Sequence, residues 1–238
     1  LQVGIGVSCF ALLVGGYTGM IVSADKAIST ILFGEAIPVF LIVPIIILFA
    51  RYGVDTFIGF RSALGYVGAS IFYFIFLFLT IGYMSIAFFM SGQAIVQIAS
   101  IAGLPEFFTS RTTGAPFFAI IIFALVYLIT FRGPLTVKKF NMIGVPAILA
   151  VMIGLMCLLL FGQGIDNIFA LSPAEPYDST LRSFTTALEL NIGLGFSWLP
   201  YLGQYSRLAK TEKIGYKAGF LSYGVILNIA VILGALCA

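Results

Sequence analysis

The sequence contains no histidine, three cysteines and few charged residues. Charged side chains make up 9% of its 238 residues, whereas about a quarter is usual in a soluble domain. Without histidine there is no Ser-His-Asp or Cys-His catalytic set, so we expect no enzyme. Cys9, Cys157 and Cys237 are too widely spaced for a zinc site or a disulfide framework, and we interpret them as apolar packing residues. The net charge of +3 is too small to indicate nucleic-acid binding.

Long hydrophobic runs make up most of the chain. Hydrophobic residues account for 61% of it, and the mean hydropathy is +1.14. Because a helix needs roughly 20 apolar residues to cross a bilayer, the sequence predicts an all-α, multi-pass integral membrane protein with about seven transmembrane helices. They cover about 2–22, 27–50, 66–98, 116–131, 140–161, 181–209 and 215–238. Both ends of the chain lie in apolar runs, so we expect the N-terminal part of a longer protein.

The basic residues of the loops predict the orientation. Nine of the 12 lysines and arginines follow the second, fourth and sixth predicted helices, and the others follow the first, third and fifth. Cytoplasmic loops carry the excess of Lys and Arg. We therefore expect the N-terminus in the cytoplasm and the protein in the plasma (inner) membrane.

The sixth predicted helix contains the stretch LGFSWLPYLGQYSRLAKTEKIGYK, which begins at Leu194. Several residues that weaken a helix lie in or beside it: Gly193, Gly195, Pro200 and Gly203. In lipid, a broken helix is tolerated only where its freed backbone groups line a cavity or meet other protein. The stretch therefore predicts a broken helix with a binding site, and we expect unwound backbone around Gly193 to Ser197.

The first predicted helix is also rich in glycine and lies five helices before the sixth. Equivalent broken helices at this separation enter the membrane from opposite sides, which is typical of an inverted repeat with a site between them. We therefore expect helices 1 and 6 to be broken. Only the two glycine-rich helices together favour a site. Taken singly, the glycines of the first helix are better explained by close helix packing: Gly4, Gly6, Gly15, Gly16 and Gly19.

The segment SWLPYLGQYSRLAK resembles the nucleobase:cation symporter family of cytosine, purine, uracil, allantoin and hydroxymethylpyrimidine permeases. Other segments resemble it as well: GGYTG at 15–19, ARYGVDTFIGFRSALGYVGAS at 50–70, IGYMSIAFFMSGQA at 81–94 and the region of Pro146. The resemblance implies a LeuT-like fold of two inverted five-helix repeats. Residues 1–178 would form the first repeat, and 179–238 would be the start of a truncated second repeat with helices 6 and 7.

Three positions depart from the family pattern. Tyr83 stands where a tryptophan usually stacks on the substrate, and Ala87 stands where some members have a glutamine that bonds the base. Gln204 replaces the usual aspartate of the motif that closes the sixth helix. With Arg207, which could tie loops together at the inner gate, it forms the predicted gating motif.

A planar heterocycle needs aromatic walls and a few polar groups at its rim. The resemblance implies Tyr83 as one wall, beside Ala87, with Phe196 or Trp198 as the other. Backbone from Gly193 and Gly195 to Ser197, together with the Ser197 hydroxyl, would face the rim. An ungapped count puts Gly195 itself at the family's aromatic position. The alternative is that these aromatics face lipid or fill a core.

A coupling cation would be bound partly by the first helix. Carbonyls between Ser8 and Val14, including that of Ala11, could coordinate Na⁺ if the helix is broken. Ser8 could be a ligand or bond back to its own helix. Glu35 and Glu189 are the acids nearest to membrane depth, which makes each a candidate for proton handling. Both lie within about a turn or two of a predicted helix start, so we interpret them as charges stabilised there. We expect no metal and no cofactor other than Na⁺ as coupling ion.

Together these features indicate a secondary active transporter. We expect a permease that imports a nucleobase or related heterocycle, such as cytosine, a purine or hydroxymethylpyrimidine, with Na⁺ or H⁺ by alternating access. The alternative is a LeuT-type symporter for another small solute, such as an amino acid. The expected partners are this solute, the cation and the lipid bilayer, and we expect a monomer that binds no nucleic acid.

Overall fold

The computed structural model describes residues 9–162 and 164–238, and every regular element in that part of the chain is helical. In chain order the α-helices are α1 (Cys9–Ile21), α2 (Ala24–Ile42), α3 (Ile45–Tyr52), α4 (Thr56–Ile101), α5 (Glu106–Thr109), α6 (Gly114–Phe131), α7 (Pro134–Gly162), α8 (Ile165–Ala170), α9 (Thr180–Ser197), α10 (Leu199–Ser206), α11 (Glu212–Gly219) and α12 (Leu227–Leu236). A π-helical turn, Phe220–Ile226, joins α11 to α12.

Five helical stretches of the described part are long and apolar enough to cross a membrane: Ala24–Tyr52, Thr56–Ile101, Gly114–Phe131, Pro134–Gly162 and Glu212–Leu236. They correspond to the second, third, fourth, fifth and seventh predicted helices. The first corresponds to a shorter apolar helix, Phe10–Ile21, and the sixth is divided between α9 and α10. The prediction of an all-α, multi-pass membrane protein is therefore confirmed.

Bends in these helices lie at proline or glycine. Pro44 separates α2 from α3, as expected of a residue that lacks a backbone donor. Within α4 the backbone leaves the helical region at Gly65, where φ is 67° and ψ is 179°. Such a φ is accessible chiefly to glycine. The stretch between the second and third predicted helices is helical from Thr56 onward.

The chain divides into two compact units, 1–69 with 143–238, and 70–142. In the first unit, α1 packs on α12 and α2 packs on α9, and both pairs share one apolar core. The largest fully buried apolar side chains of this core are Ile31, Val43, Ile46, Leu202, Leu227, Val231 and Leu233. This unit contains the interrupted sixth helix.

Glycines bring α1 and α12 together backbone to backbone. A Cβ on Gly15 would overlap the Val231 carbonyl oxygen, and one on Gly19 would overlap the Ala235 carbonyl oxygen. Such small-residue contacts are the usual way in which membrane helices approach closely. The α-helix continues unbroken from Cys9 to Ile21. In this range the expected break of the first helix is wrong, and the glycines pack instead.

The second unit is formed by the later part of α4 together with α5 and α6. Gly92 on α4 lies against the backbone of Ala115 at the start of α6. Phenylalanine rings pack edge to face where α5 meets α6, with Phe107 and Phe117 at 5.6 Å between ring centroids. The outer faces of these helices carry exposed apolar side chains, as expected of surfaces that contact lipid.

Candidate functional site

The sixth predicted helix is interrupted at Trp198. Helix α9 ends at Ser197 and α10 begins at Leu199, followed by Pro200, which has no backbone N–H and crowds the preceding turn. The Trp198 amide donates to the Gly195 carbonyl at 3.4 Å, and the Trp198 carbonyl accepts from the Tyr201 amide at 3.0 Å. The α-helix is therefore interrupted by a single residue, Trp198, whose backbone keeps right-handed helical angles (φ −83°, ψ −12°). The expected unwinding between Gly193 and Ser197 is wrong, because this range is helical.

The two glycines before the break have different surroundings. Nothing lies within 4 Å of a Cβ built on Gly193, which is exposed. A Cβ on Gly195 would lie 2.6 Å from Pro38 Cβ and 2.7 Å from Glu35 Oε2. Gly195 therefore lets the backbone of α9 approach α2 closely. It is a packing contact beside a carboxylate rather than a point of unwinding.

Trp198 and Phe196 do not share an environment. The half-buried Trp198 ring lies 6.1 Å from the Tyr223 ring and 5.6 Å from the Tyr201 ring, between centroids. Phe196 is 39% exposed. The Ser197 hydroxyl donates to the Leu194 carbonyl at 2.6 Å, so it is engaged within its own helix. Of the two candidate aromatics, Trp198 is the one that packs toward the interior of this unit.

A small cavity of about 10 Å³ lies one turn before Trp198, between α2, α9 and the π-helical turn. Its polar lining comes from Glu35 and Tyr223, and the remainder is Gly195 with apolar residues of α2 and its C-cap. Glu35 is 1% exposed and Tyr223 is 4% exposed. Neither the Glu35 carboxylate oxygens nor the Tyr223 hydroxyl have a hydrogen-bond partner within the described residues. A cavity of this size accommodates about one water molecule.

The interpretation of Glu35 as a charge stabilised at a helix start is wrong. Helix α2 begins at Ala24, which puts Glu35 three turns into the helix, far from the dipole's influence. Glu35 belongs to the buried stripe of α2, whose members recur at helical spacing: 27, 30, 31, 34, 35, 38, 39 and 42. This helical spacing is the sequence signal from which the burial of Glu35 could have been predicted. Glu189, in contrast, is exposed on α9.

A polar contact joins the first and sixth predicted helices. The Asn191 side chain of α9 donates to Thr18 Oγ1 of α1 at 3.3 Å and to the Ala187 carbonyl at 2.7 Å. Thr18 in turn donates to the Val14 carbonyl at 2.9 Å. Hydrogen bonds of this kind stabilise the association of membrane helices. Sequence reasoning missed both residues, because a lone Asn or Thr in an apolar run has no distinctive spacing.

The predicted cation ligands of the first helix fall partly outside the described structure. Ser8 lies outside the described residues. Ala11 is fully buried and Val14 is half-buried, both within the continuous helix α1. Carbonyls inside an α-helix accept from amides four residues on, and that of Val14 also accepts from Thr18. The broken-helix carbonyls on which the prediction depended are therefore not present between Cys9 and Ile21.

Tyr83 and Ala87 lie on α4 in the second unit. Both are exposed there, with Tyr83 43% exposed. Their predicted place beside the substrate, opposite Trp198, stays a prediction.

The predicted gating motif forms contacts at the end of α10. Arg207 pairs with Asp55 at 3.5 Å, and Asp55 also accepts from the Ile58 amide at 2.9 Å at the start of α4. The Gly203 amide donates to Thr56 Oγ1 at 3.0 Å. These contacts join the end of the sixth predicted helix to Asp55 and Thr56, at the start of α4. Gln204 lies between Gly203 and Arg207 in the sequence and is half-buried.

A family model described as a permease for cytosine/purines, uracil, thiamine and allantoin matches residues 6–238. The chain belongs to this family of permeases. Searches of curated proteins and of solved structures give no significant match.

The permease is a transporter and not an enzyme, so its site has to bind and release a small molecule without altering it. The interruption at Trp198 provides an aromatic face, and the adjoining cavity provides a carboxylate and a hydroxyl. No group of three or more His, Cys, Asp or Glu side chains that could hold a metal ion occurs in the described part of the permease.

Proposed function

We propose that the permease imports a nucleobase or a related small heterocycle together with Na⁺ or H⁺. The observation that carries this proposal is the interruption of the sixth predicted helix at Trp198, in a chain of this permease family. Regular helices satisfy their own backbone groups in lipid, so an interrupted one is retained where it serves a site. The solute would bind near the middle of the membrane, beside the interruption.

Trp198 supplies the aromatic face of the proposed site. An indole ring offers a large surface on which planar heterocycles stack, and stacking on an aromatic side chain contributes about 1 to 3 kcal/mol per base. The Trp198 indole N–H is buried and has no partner within the described residues. Tyr83 would form the opposite wall, with Ala87 beside it, as the family resemblance implies.

The proposed transport cycle is alternating access in a LeuT-like fold. Helices α1 and α9 with α10 would be equivalent members of two inverted repeats, the first over 1–178 and the second starting at 179. In support, α1 and α9 contact each other through Thr18 and Asn191. The Arg207 contact with Asp55 would close the inner side of the pathway and separate when it opens.

The orientation is proposed from the charge distribution. The basic loop after α10 would be cytoplasmic, as would the N-terminus, in a plasma (inner) membrane. A cysteine introduced at Lys213 in a variant without the native cysteines should react with impermeant reagents only from the cytoplasmic side. Labelling from the outside would reverse the proposed orientation.

The decisive experiment is a thermal-shift screen of the purified full-length permease. Cytosine, uracil, adenine, hydroxymethylpyrimidine, thiamine and allantoin are each added with and without Na⁺. A solute that binds the native state at one hundred times its Kd adds about 2.7 kcal/mol to the unfolding free energy, so its melting temperature rises. No shift with any heterocycle, but one with an amino acid, would favour the alternative of a LeuT-type symporter for another solute.

Two variants then test the role of Trp198. Trp198→Ala should lower the affinity of the responding heterocycle by about 1 to 3 kcal/mol, whereas Trp198→Phe, which keeps an aromatic face, should lose less. Phe196→Ala is the matched control, because Phe196 is partly exposed on the same helix. Equal affinity in the wild type and Trp198→Ala would remove Trp198 from the site.

A further inference from the structure

The buried carboxylate of Glu35 is not used by the solute site proposed above. Glu35 lies in the middle of a membrane-spanning stretch, 1% exposed, with both oxygens lacking a partner in the described part of the chain. A carboxylate in that position would be an uncompensated charge in a medium that solvates it poorly. Ionisable groups inside membrane proteins are accordingly rare and mark proton or ion pathways. Glu35 therefore needs a proton, a cation or water as its partner.

The surroundings of Glu35 favour a proton over a metal cation. A sodium ion needs about five or six oxygens, whereas the cavity of about 10 Å³ has polar lining from the Glu35 carboxylate and the Tyr223 hydroxyl. Its other walls are Gly195 and aliphatic side chains or proline of α2 and its C-cap. A proton on Glu35 removes the charge, and a single water can bridge the acid to the hydroxyl.

Among the described residues, no titratable side chain other than Tyr223 lines the cavity beside Glu35. On the elements packed against α2, the described titratable side chains besides Tyr223 are all exposed: Tyr17 on α1, Arg51 and Tyr52 on α3, and Arg182 and Glu189 on α9. Tyr201 and Tyr205 on α10 lie near Tyr223 and do not line the cavity. In the described structure, Tyr223 is thus the titratable neighbour of Glu35.

The position of the cavity connects it to the interruption at Trp198. Gly195, in contact with Glu35, is one turn before the interruption at Trp198, and Tyr223 packs against the Trp198 ring at 6.1 Å. Tyr223 itself lies on the π-helical turn, an irregularity that often occurs at functional sites. A rearrangement of the interruption would therefore change the access of water to Glu35.

We propose that Glu35 binds and releases the coupling proton of transport. The Tyr223 hydroxyl is its hydrogen-bond partner across the cavity, bridged by a single water. The proton passes from water on the outer side to the Glu35 carboxylate, and from the neutral acid to water on the inner side after the permease changes conformation. No covalent bond to the solute forms or breaks. This inference rests on the proposed function and names its coupling ion.

The first test is independent of transport. Infrared spectra of the purified full-length permease should contain the carbonyl band of a buried protonated carboxylic acid. Glu35→Gln should abolish this band, and Glu189→Gln, the matched exposed control, should keep it. Tyr223→Phe, which removes only the hydroxyl, should shift the band. Persistence of the band in Glu35→Gln, or its absence from the wild type at every pH, would overturn the proposal.

The second test uses vesicles with labelled cytosine, uracil, adenine and allantoin. One proton per solute should give about tenfold accumulation for each unit of pH gradient, since a pH unit corresponds to a factor of ten. Glu35→Gln should lose this accumulation and keep solute exchange, which requires no proton release. Accumulation by Glu35→Gln equal to that of the wild type, or wild-type accumulation that needs Na⁺ alone, would refute the role of Glu35. If no solute is transported, the proposed function fails, and the infrared result still decides whether Glu35 holds a proton.

Discussion

The neighbouring glycines Gly15 and Gly16 provide a test of how the first helix is used. A Cβ on Gly15 would overlap the Val231 carbonyl oxygen and lie 2.8 Å from its carbon and 3.0 Å from the Ala235 amide nitrogen. These are backbone atoms of α12, so no side-chain rotation can make room. A Cβ on Gly16 would have its nearest neighbour, the Gly234 carbonyl oxygen, at 3.9 Å, which is ordinary contact.

The expected magnitudes follow from this difference. Alanine gains about 0.5 to 1 kcal/mol over glycine inside a helix, and an added methyl in a tight contact typically costs about 1 to 3 kcal/mol. Gly15→Ala should therefore destabilise the permease by about 1 to 2 kcal/mol net. Gly16→Ala should leave stability unchanged or raise it by up to about 1 kcal/mol.

The measurement is the unfolding free energy of the purified full-length protein in mild detergent, for both variants and the wild type in parallel. The two substitutions share residue type, helix and depth, so the effect of alanine on the helix itself cancels in the comparison. Equal stability of the two variants would refute the close approach of α1 to α12. A loss in Gly16→Ala alone would mean that α1 packs through the face of Gly16 and not through that of Gly15.

Two further contacts give predictions with their own controls. Gly203→Ala would bring a Cβ to 2.5 Å from the Thr56 amide nitrogen, so it should lower the melting temperature. Gly193→Ala is the control and should not lower it, because nothing lies within 4 Å of a Cβ there. Equal melting temperatures of the two variants would contradict the close approach at Gly203. Arg51 donates two hydrogen bonds to Glu212, at 2.8 and 2.9 Å, and both side chains are exposed. Their coupling in a double-mutant cycle should be small and should vanish in high salt, because exposed ion pairs are screened; coupling that is independent of salt would contradict this view.

The membrane class and most helix positions could be predicted from hydropathy alone, because bilayer thickness sets the length of an apolar run. Helix starts were less accurate. Helix α2 begins at Ala24, before the charged pair Asp25 and Lys26, since polar side chains are acceptable in the first turn of a helix. That shift of about one turn carries Glu35 deeper into the helix. The interpretation of Glu35 as a helix-start charge therefore depended on the least accurate part of the prediction.

Glycine was the weakest indicator of the candidate site. Inside a helix a glycine costs only about 0.5 to 1 kcal/mol relative to alanine, which close packing compensates, and Gly15 and Gly195 both lie in such contacts. Proline removes a donor and crowds the preceding turn, at a cost of about 3 kcal/mol or more. The helix is accordingly interrupted beside Pro200, at Trp198, and not at the glycines.

Tyr223 could not have been identified from the sequence. It lies in an apolar run without a motif. The amino-acid composition of the π-helical turn that contains it does not distinguish that turn from an ordinary α-helix. In that turn the Asn228 side chain donates to the Tyr223 carbonyl at 3.3 Å and to the Gly224 carbonyl at 3.2 Å. Such bonds satisfy backbone groups that a widened turn leaves less well paired. The proximity of Tyr223 to Glu35 therefore arises from tertiary packing of the helices, which the sequence pattern does not reveal.

The solute site and the proton site of the permease would be coupled through one short segment of α9. Gly195 lies against Glu35, and three residues later Trp198 interrupts the helix and packs on Tyr223. A solute stacked on Trp198 would hold this segment in one arrangement and so fix the distance between the acid and the hydroxyl. Protonation of Glu35 would favour the same arrangement, because the neutral acid tolerates the largely apolar cavity better than the carboxylate does. By linkage, each ligand must then raise the affinity of the other, which is the requirement for symport.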